Sequence, residues 1–95
     1  MIFKKYHRRY PDSGWDYKAI STHVNGREII FYTLIKKGKH RRGVEIYNDD
    51  VTLHSYSRHY ASLNSVPVKY KKIVLQLMRY YKSITWSTFK YVNEN

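Results

Sequence analysis

The side chains in this 95-residue sequence best placed for chemistry are Lys, Arg and Tyr, and the chemistry they offer is recognition of anions and of flat rings. The densest group lies in "LIKKGKHRRGVEI" at 34–46, where Lys36, Lys37, Lys39, His40, Arg41 and Arg42 sit between two apolar runs, with Gly38 and Gly43 nearby. Such cations neutralise phosphates from an exposed position and need no pocket. Protecting a sheet edge from unwanted pairing takes one or two lysines, fewer than this cluster holds. We therefore expect a phosphate-contacting finger at a hairpin tip, with Lys36, Lys37, Lys39, Arg41 and Arg42 on the nucleic-acid backbone. Lys69, Lys72 and Arg79 form a second expected ridge on a helix. Arg8 and Arg9, in the N-terminal "KKYHRRY", contribute a third.

Aromatic residues are interleaved with these cations, as in "FKKYHRRY" at 3–10, "SYSRHY" at 55–60, "KYKK" at 69–72 and "RYYK" at 79–82. Rings in such company can stack on unpaired bases. Tyr56 and Tyr60 are the expected stacking residues, with Tyr6 and Tyr10 as further contacts. Tyr70 and Tyr81 fall on an apolar helix stripe and are assigned to the core. The abundance of Tyr, Lys, Ile and Asn also fits an AT-rich genome, which weakens any argument from tyrosine number alone.

Catalytic patterns are sparse. The acids are scattered, and the adjacent pair Asp49-Asp50 lies in an expected turn, "NDD". A two-metal site needs converging carboxylates; Glu28 and Glu45 are separate in sequence, and nothing in the spacing brings them together. His7, His23, His40, His54 and His59 form no HxH, HxxxH or HExxH pattern. With no cysteine, disulfides and cysteine-bound zinc are excluded. The expectation is a non-enzymatic protein with no metal or cofactor. In size, basicity and reliance on Arg, Lys and Tyr, the chain resembles the RelE-type mRNA-cleaving toxins. That resemblance would make Arg58, His59 and Tyr60 ("RHY") the active residues. That family places helices near its N-terminus, whereas this chain begins with strand patterns.

The formal net charge is +11 and the isoelectric point about 9.9, a balance that attracts polyanions. Charge is also segregated: residues 51–93 carry Arg58, Lys69, Lys71, Lys72, Arg79, Lys82 and Lys90 and no acid. The expected partner is nucleic acid, DNA ahead of RNA. The alternative is an inhibitor or adaptor, of the kind phage and mobile elements encode, docking on a larger protein. Binding to a membrane surface ranks below both, because the helix stripe is claimed by the sheet. No apolar run reaches membrane-span length, and the N-terminus has no apolar core of signal-peptide length. These features lead us to expect a cytoplasmic or nucleoid-associated protein.

The elements that must position these residues read as one domain, 1–95, of α+β class. "PDSG" at 11–14 is a turn that separates the basic segment 2–10 from the first strand. Asn25-Gly26 is the preferred dipeptide of a type I′ hairpin, and predicts strands at 15–24 and 27–37. Pairing Val24 with Arg27 puts Ile20 opposite Phe31 on one face and Ala19 opposite Tyr32 on the other. A third strand is expected near 43 and a fourth at 51–57, followed by an alternating segment at 84–92. Val66, Tyr70, Ile73, Val74, Leu77 and Tyr81 recur with helical period, with Ser65 as cap and Pro67 in the first turn. The result is a small antiparallel meander of four to five strands with one basic amphipathic helix near the C-terminus. In element order alone it resembles SH3-like and chromodomain-type layouts, including the small archaeal chromatin proteins, which implies a curved sheet.

Overall fold

The computed structural model describes residues 2–48, 57–84, 86 and 90–91. Five strands form an antiparallel meander in chain order: β1 (Lys4–Tyr10), β2 (Trp15–Val24), β3 (Arg27–Lys36), β4 (Lys39–Asn48) and β5 (Ser57–Tyr60). A 3-10 turn (Leu63–Ser65) leads into helix α1 (Val68–Ser83), and the two-residue strand β6 (Lys90–Tyr91) runs parallel to β1. The sheet order is β5-β4-β3-β2-β1-β6, so β5 and β6 are opposite edges and the sheet stays open. Likeness to the closed SH3-like layout therefore extends only to the order of the elements.

The β2–β3 hairpin has the expected turn and register. Asn25 and Gly26 have φ of 50° and 74°, the left-handed region a type I′ turn requires. Val24 pairs with Arg27, Ile20 with Phe31 and Ala19 with Tyr32.

Two segments differ from expectation. Residues 4–10 are the strand β1, paired along its length with β2, rather than a separate basic arm. The third strand after the N-terminal region also starts earlier than 43. Lys37 and Gly38, with φ of 41° and 80°, make a second two-residue turn, so Lys36 pairs with Lys39 and the ladder continues through Arg42. High charge hides both strands from a reading based on apolar alternation. Of the strand expected at 51–57, only Ser57 is among the described residues, and there it opens β5. Within 84–92, strand pairing is described at Lys90–Tyr91.

Strand alternation presents Ile20, Ile29, Phe31, Val44 and Ile46 to one side, where they meet Val66, Tyr70, Val74 and Leu77 of the helical segment in a single core. The stripe read from the 3.6-residue period is the buried one. Ile20, Ile29, Val74 and Leu77 are fully buried, worth about 1.5–3 kcal/mol each by transfer. Polar ties set the helix on the sheet without orphaning hydroxyls in the core: Tyr81 shares a 2.6 Å hydrogen bond with Thr33, and Arg27 donates to the Tyr70 hydroxyl at 3.2 Å. The N-cap is Pro67, not Ser65. Ser65 instead closes the 3-10 turn, its hydroxyl 2.9 Å from that of Ser62.

Candidate nucleic-acid interface

The helix covers one face of the sheet. Among the described residues, no helix or strand covers the other. Alternation and register put Lys4, Tyr6, Arg8 and Tyr10 of β1 on that open face, beside Ser21, Ala19, Tyr17 and Trp15 of β2. The next two strands add Glu28, Ile30, Tyr32, Leu34 and Lys36, then Lys39, Arg41, Gly43, Glu45 and Tyr47. Ala19, Ile30 and Tyr32 are its buried centre, with Tyr6, Tyr17, Leu34 and Tyr47 packed around them.

Cations lie against these rings. Arg8 stands 5.2 Å from the centre of Tyr6 and 6.0 Å from that of Tyr17. At the far end of the sheet, Lys36 and Arg41 stand 5.6 Å and 5.5 Å from the Trp15 ring. Such contacts hold long side chains in place while leaving their charge available to an anion.

The rings are also fixed from below. Tyr17 and Tyr32 stack with centroids 5.9 Å apart. Tyr32 lies across Gly43, its cross-strand partner, and its hydroxyl hydrogen-bonds His59 on β5. A Cβ at position 43 would fall 2.4 Å from the Tyr32 hydroxyl, so the glycine makes room for the ring. Tyr6 and Ser21 each donate to Glu28 at 2.9 Å, and Tyr47 donates to Glu45. Burial raises the hydroxyl pKa of Tyr17 and of Tyr32, and the Glu45 carboxylate adds to both shifts. Both therefore remain neutral O–H groups at physiological pH.

The predicted site residues fall into separate groups. Lys36, Lys39, Arg41 and Arg8 share the open face, and Lys37 is exposed at its rim. Arg42 does not join them: alternation sends it to the opposite face, where it lines a cleft of about 240 Å³ with His40, Tyr81 and Lys82. The expected finger is thus a strand whose charges divide between two faces. Arg9 also faces away, and its guanidinium donates to Asp16 at 2.6 and 3.1 Å. That bond from Arg9 holds the Asp16 carboxyl below its usual range despite partial burial.

Lys69, Lys72 and Arg79 are exposed on the outer side of α1. They lie across the molecule from the open face, so the two basic surfaces are not continuous. Tyr60 packs against the core under the helix and is not a free stacking ring. Tyr56 lies outside the described residues. Of "RHY", His59 meets Tyr32 on the open face, whereas Tyr60 packs toward the core. Among the described residues, no group of three or more His, Asp or Glu could hold a metal ion.

Sequence reasoning placed Tyr32 on the face opposite Ile20 and Phe31, as observed, but gave no binding role to it or to Trp15, Tyr17 and Tyr47. The sequence matches no family model, no curated protein and no solved structure.

Proposed function

We propose that this protein binds single-stranded nucleic acid across the open face of its sheet, with no reaction performed on it. The observation that carries this reading is the pairing of rings and cations on one uncovered face: Arg8 over Tyr6 and Tyr17, Lys36 and Arg41 against Trp15. Aromatic faces stack on bases of any identity, and neighbouring cations follow the phosphates. Stacking on a sheet needs splayed bases, which favours a single strand over a duplex. The net charge of +11 supplies long-range attraction.

Lys37 adds support. It occupies the left-handed region at φ 41°, where Asn, Asp or Gly is the usual occupant of such a turn. A lysine there carries a local cost of roughly 1–2 kcal/mol, and a role for its charge at the rim would account for its presence.

Trp15 provides the test. The chain has two tryptophans, so Trp86→Phe leaves Trp15 as the sole indole. Titration with single-stranded DNA, RNA and duplex DNA at two salt concentrations should quench Trp15 with the single strands. Affinity should fall with salt at about 0.7 units of log–log slope per phosphate neutralised. Binding without a change in Trp15 emission would place the contact elsewhere. No nucleic-acid binding at any salt, together with salt-insensitive capture of a protein partner, would favour the inhibitor or adaptor reading.

A further inference from the structure

We infer that the open face contains a guanine-selective cleft built around Glu28, an inference that rests on the proposed function. The cleft, about 400 Å³, lies at the Asn25-Gly26 end of the sheet, away from the Lys37-Gly38 tip. Tyr6, Tyr17 and Tyr47 wall it, Ile30 lies within its lining, and Glu28 and Arg8 supply charge. Its volume lies within the range of small-ligand sites, and its mixture of apolar walls with few polar groups is typical of them.

A carboxylate in the middle of a phosphate-seeking surface needs a reason. Glu28 is held in place: Tyr6 and Ser21 both donate to Oε2 at 2.9 Å. An ionised carboxylate has about four lone-pair positions and no donor. Both bonds fall on Oε2, so the open positions are those of Oε1, and they can accept hydrogen bonds only. Phosphate is repelled from such a group, but a base edge rich in donors is not.

Among the bases, guanine offers two adjacent donors on one edge, N1–H and the N2 amino group, close enough to converge on Oε1. Adenine and cytosine place a ring-nitrogen lone pair beside their amino group, which would face that same oxygen. Thymine and uracil offer one N–H between two carbonyls. Arg8, against Tyr6 and Tyr17 at the same cleft, is then placed for the phosphate of the seated nucleotide.

The test is fluorescence anisotropy with labelled oligothymidines carrying one central deoxyguanosine, one central deoxyinosine, or thymidine throughout. Inosine keeps N1–H and lacks the amino group. The deoxyguanosine strand should bind on the order of tenfold more tightly than oligothymidine, as for a good bidentate contact. Inosine should lose most of that gain. Glu28→Gln turns an acceptor into a donor at the cleft and should bring the three strands to equal affinity, whatever all three gain together from the lost negative charge. If the variant fails to fold, the guanosine–inosine comparison in the parent protein decides. Equal affinity of the parent for all three strands would overturn the guanine cleft and leave the proposed function standing. Binding to none of them would overturn both.

Discussion

On the covered face, the sheet presents mainly aliphatic carbon, Ile20, Ile29, Val44 and Ile46 with Phe31 among them, to Val74, Leu77 and Tyr70 of α1. On the open face, alternate residues of the same strands present Tyr6, Tyr17, Tyr32 and Tyr47. Aliphatic surface needs a lid, and α1 is that lid. Tyrosine rings cover one another and keep a hydroxyl for a polar partner, so a tyrosine face can remain wet without becoming a sticky apolar patch. The difference separates folding from recognition within one set of strands: changes on the covered face should be read out in stability, and changes on the open face mainly in binding.

The strongest way to break that division is through the lid. Leu77→Ala should lower unfolding free energy by about 2–5 kcal/mol in a urea titration, with little effect on the affinity of the folded fraction for a single strand. Tyr17→Ala tests the other face. It should weaken binding to a single-stranded oligonucleotide by about 1–3 kcal/mol, the range for one stacked base, while costing less stability than Leu77→Ala.

Gly43→Ala addresses the one place where an open-face ring depends on backbone room. Tyr32 is held by Tyr17 and His59 and cannot swing aside freely, so the added methyl should cost about 1–3 kcal/mol. Thermal or chemical melting would measure it. A neutral result would mean that the ring has a second resting place.

A finer comparison lies within strand β4. Lys39→Ser with Arg41→Ser should flatten the log affinity–log salt plot for a single strand by about 1.4 units, at roughly 0.7 per phosphate. Arg42→Ser, one residue further along but on the covered side, should leave that slope unchanged. Equal effects from the two changes would show that charge number matters and facing does not.

The smallest effect expected is in acid. Asp16 has a lowered carboxyl pKa in the folded protein because Arg9 donates to it. Its contribution to stability is therefore present above the unfolded value, near pH 4, and is lost as pH falls through the lower folded value. Arg9→Gln should reduce stability at neutral pH by no more than about 1 kcal/mol, since both partners are partly exposed. The difference from the parent should shrink below pH 4.

The hairpin of β2 and β3 and the helix were legible because each satisfies two independent signals. Asn25-Gly26 agrees with alternation on both sides, and Pro67 agrees with the stripe from Val66 to Tyr81. β1 and the first half of β4 were not legible, because Lys and Arg occupy positions where apolar residues mark a strand. Counting back in twos from Ile46 and Val44 would have reached Arg42 and His40 and divided the cluster between two faces. The place of Gly43 could not be read locally at all, since its reason is a ring on the neighbouring strand. The site was legible in its cations and not in its rings, because Tyr17, Tyr32 and Tyr47 become one surface only when three strands are laid side by side.

The order of the strands also bears on how quickly the domain forms. From β1 to β5, every antiparallel pairing joins neighbours in the chain, and the β2–β3 and β3–β4 turns have two residues each. Closing such short loops costs little entropy, so the central three strands can zip together early. The pairing of Arg8 with Lys90 joins opposite ends of the chain and must wait for the rest. In a hydrogen-exchange experiment the amides of β3 should therefore be the slowest to open, and those shared by β1 and β6 among the first.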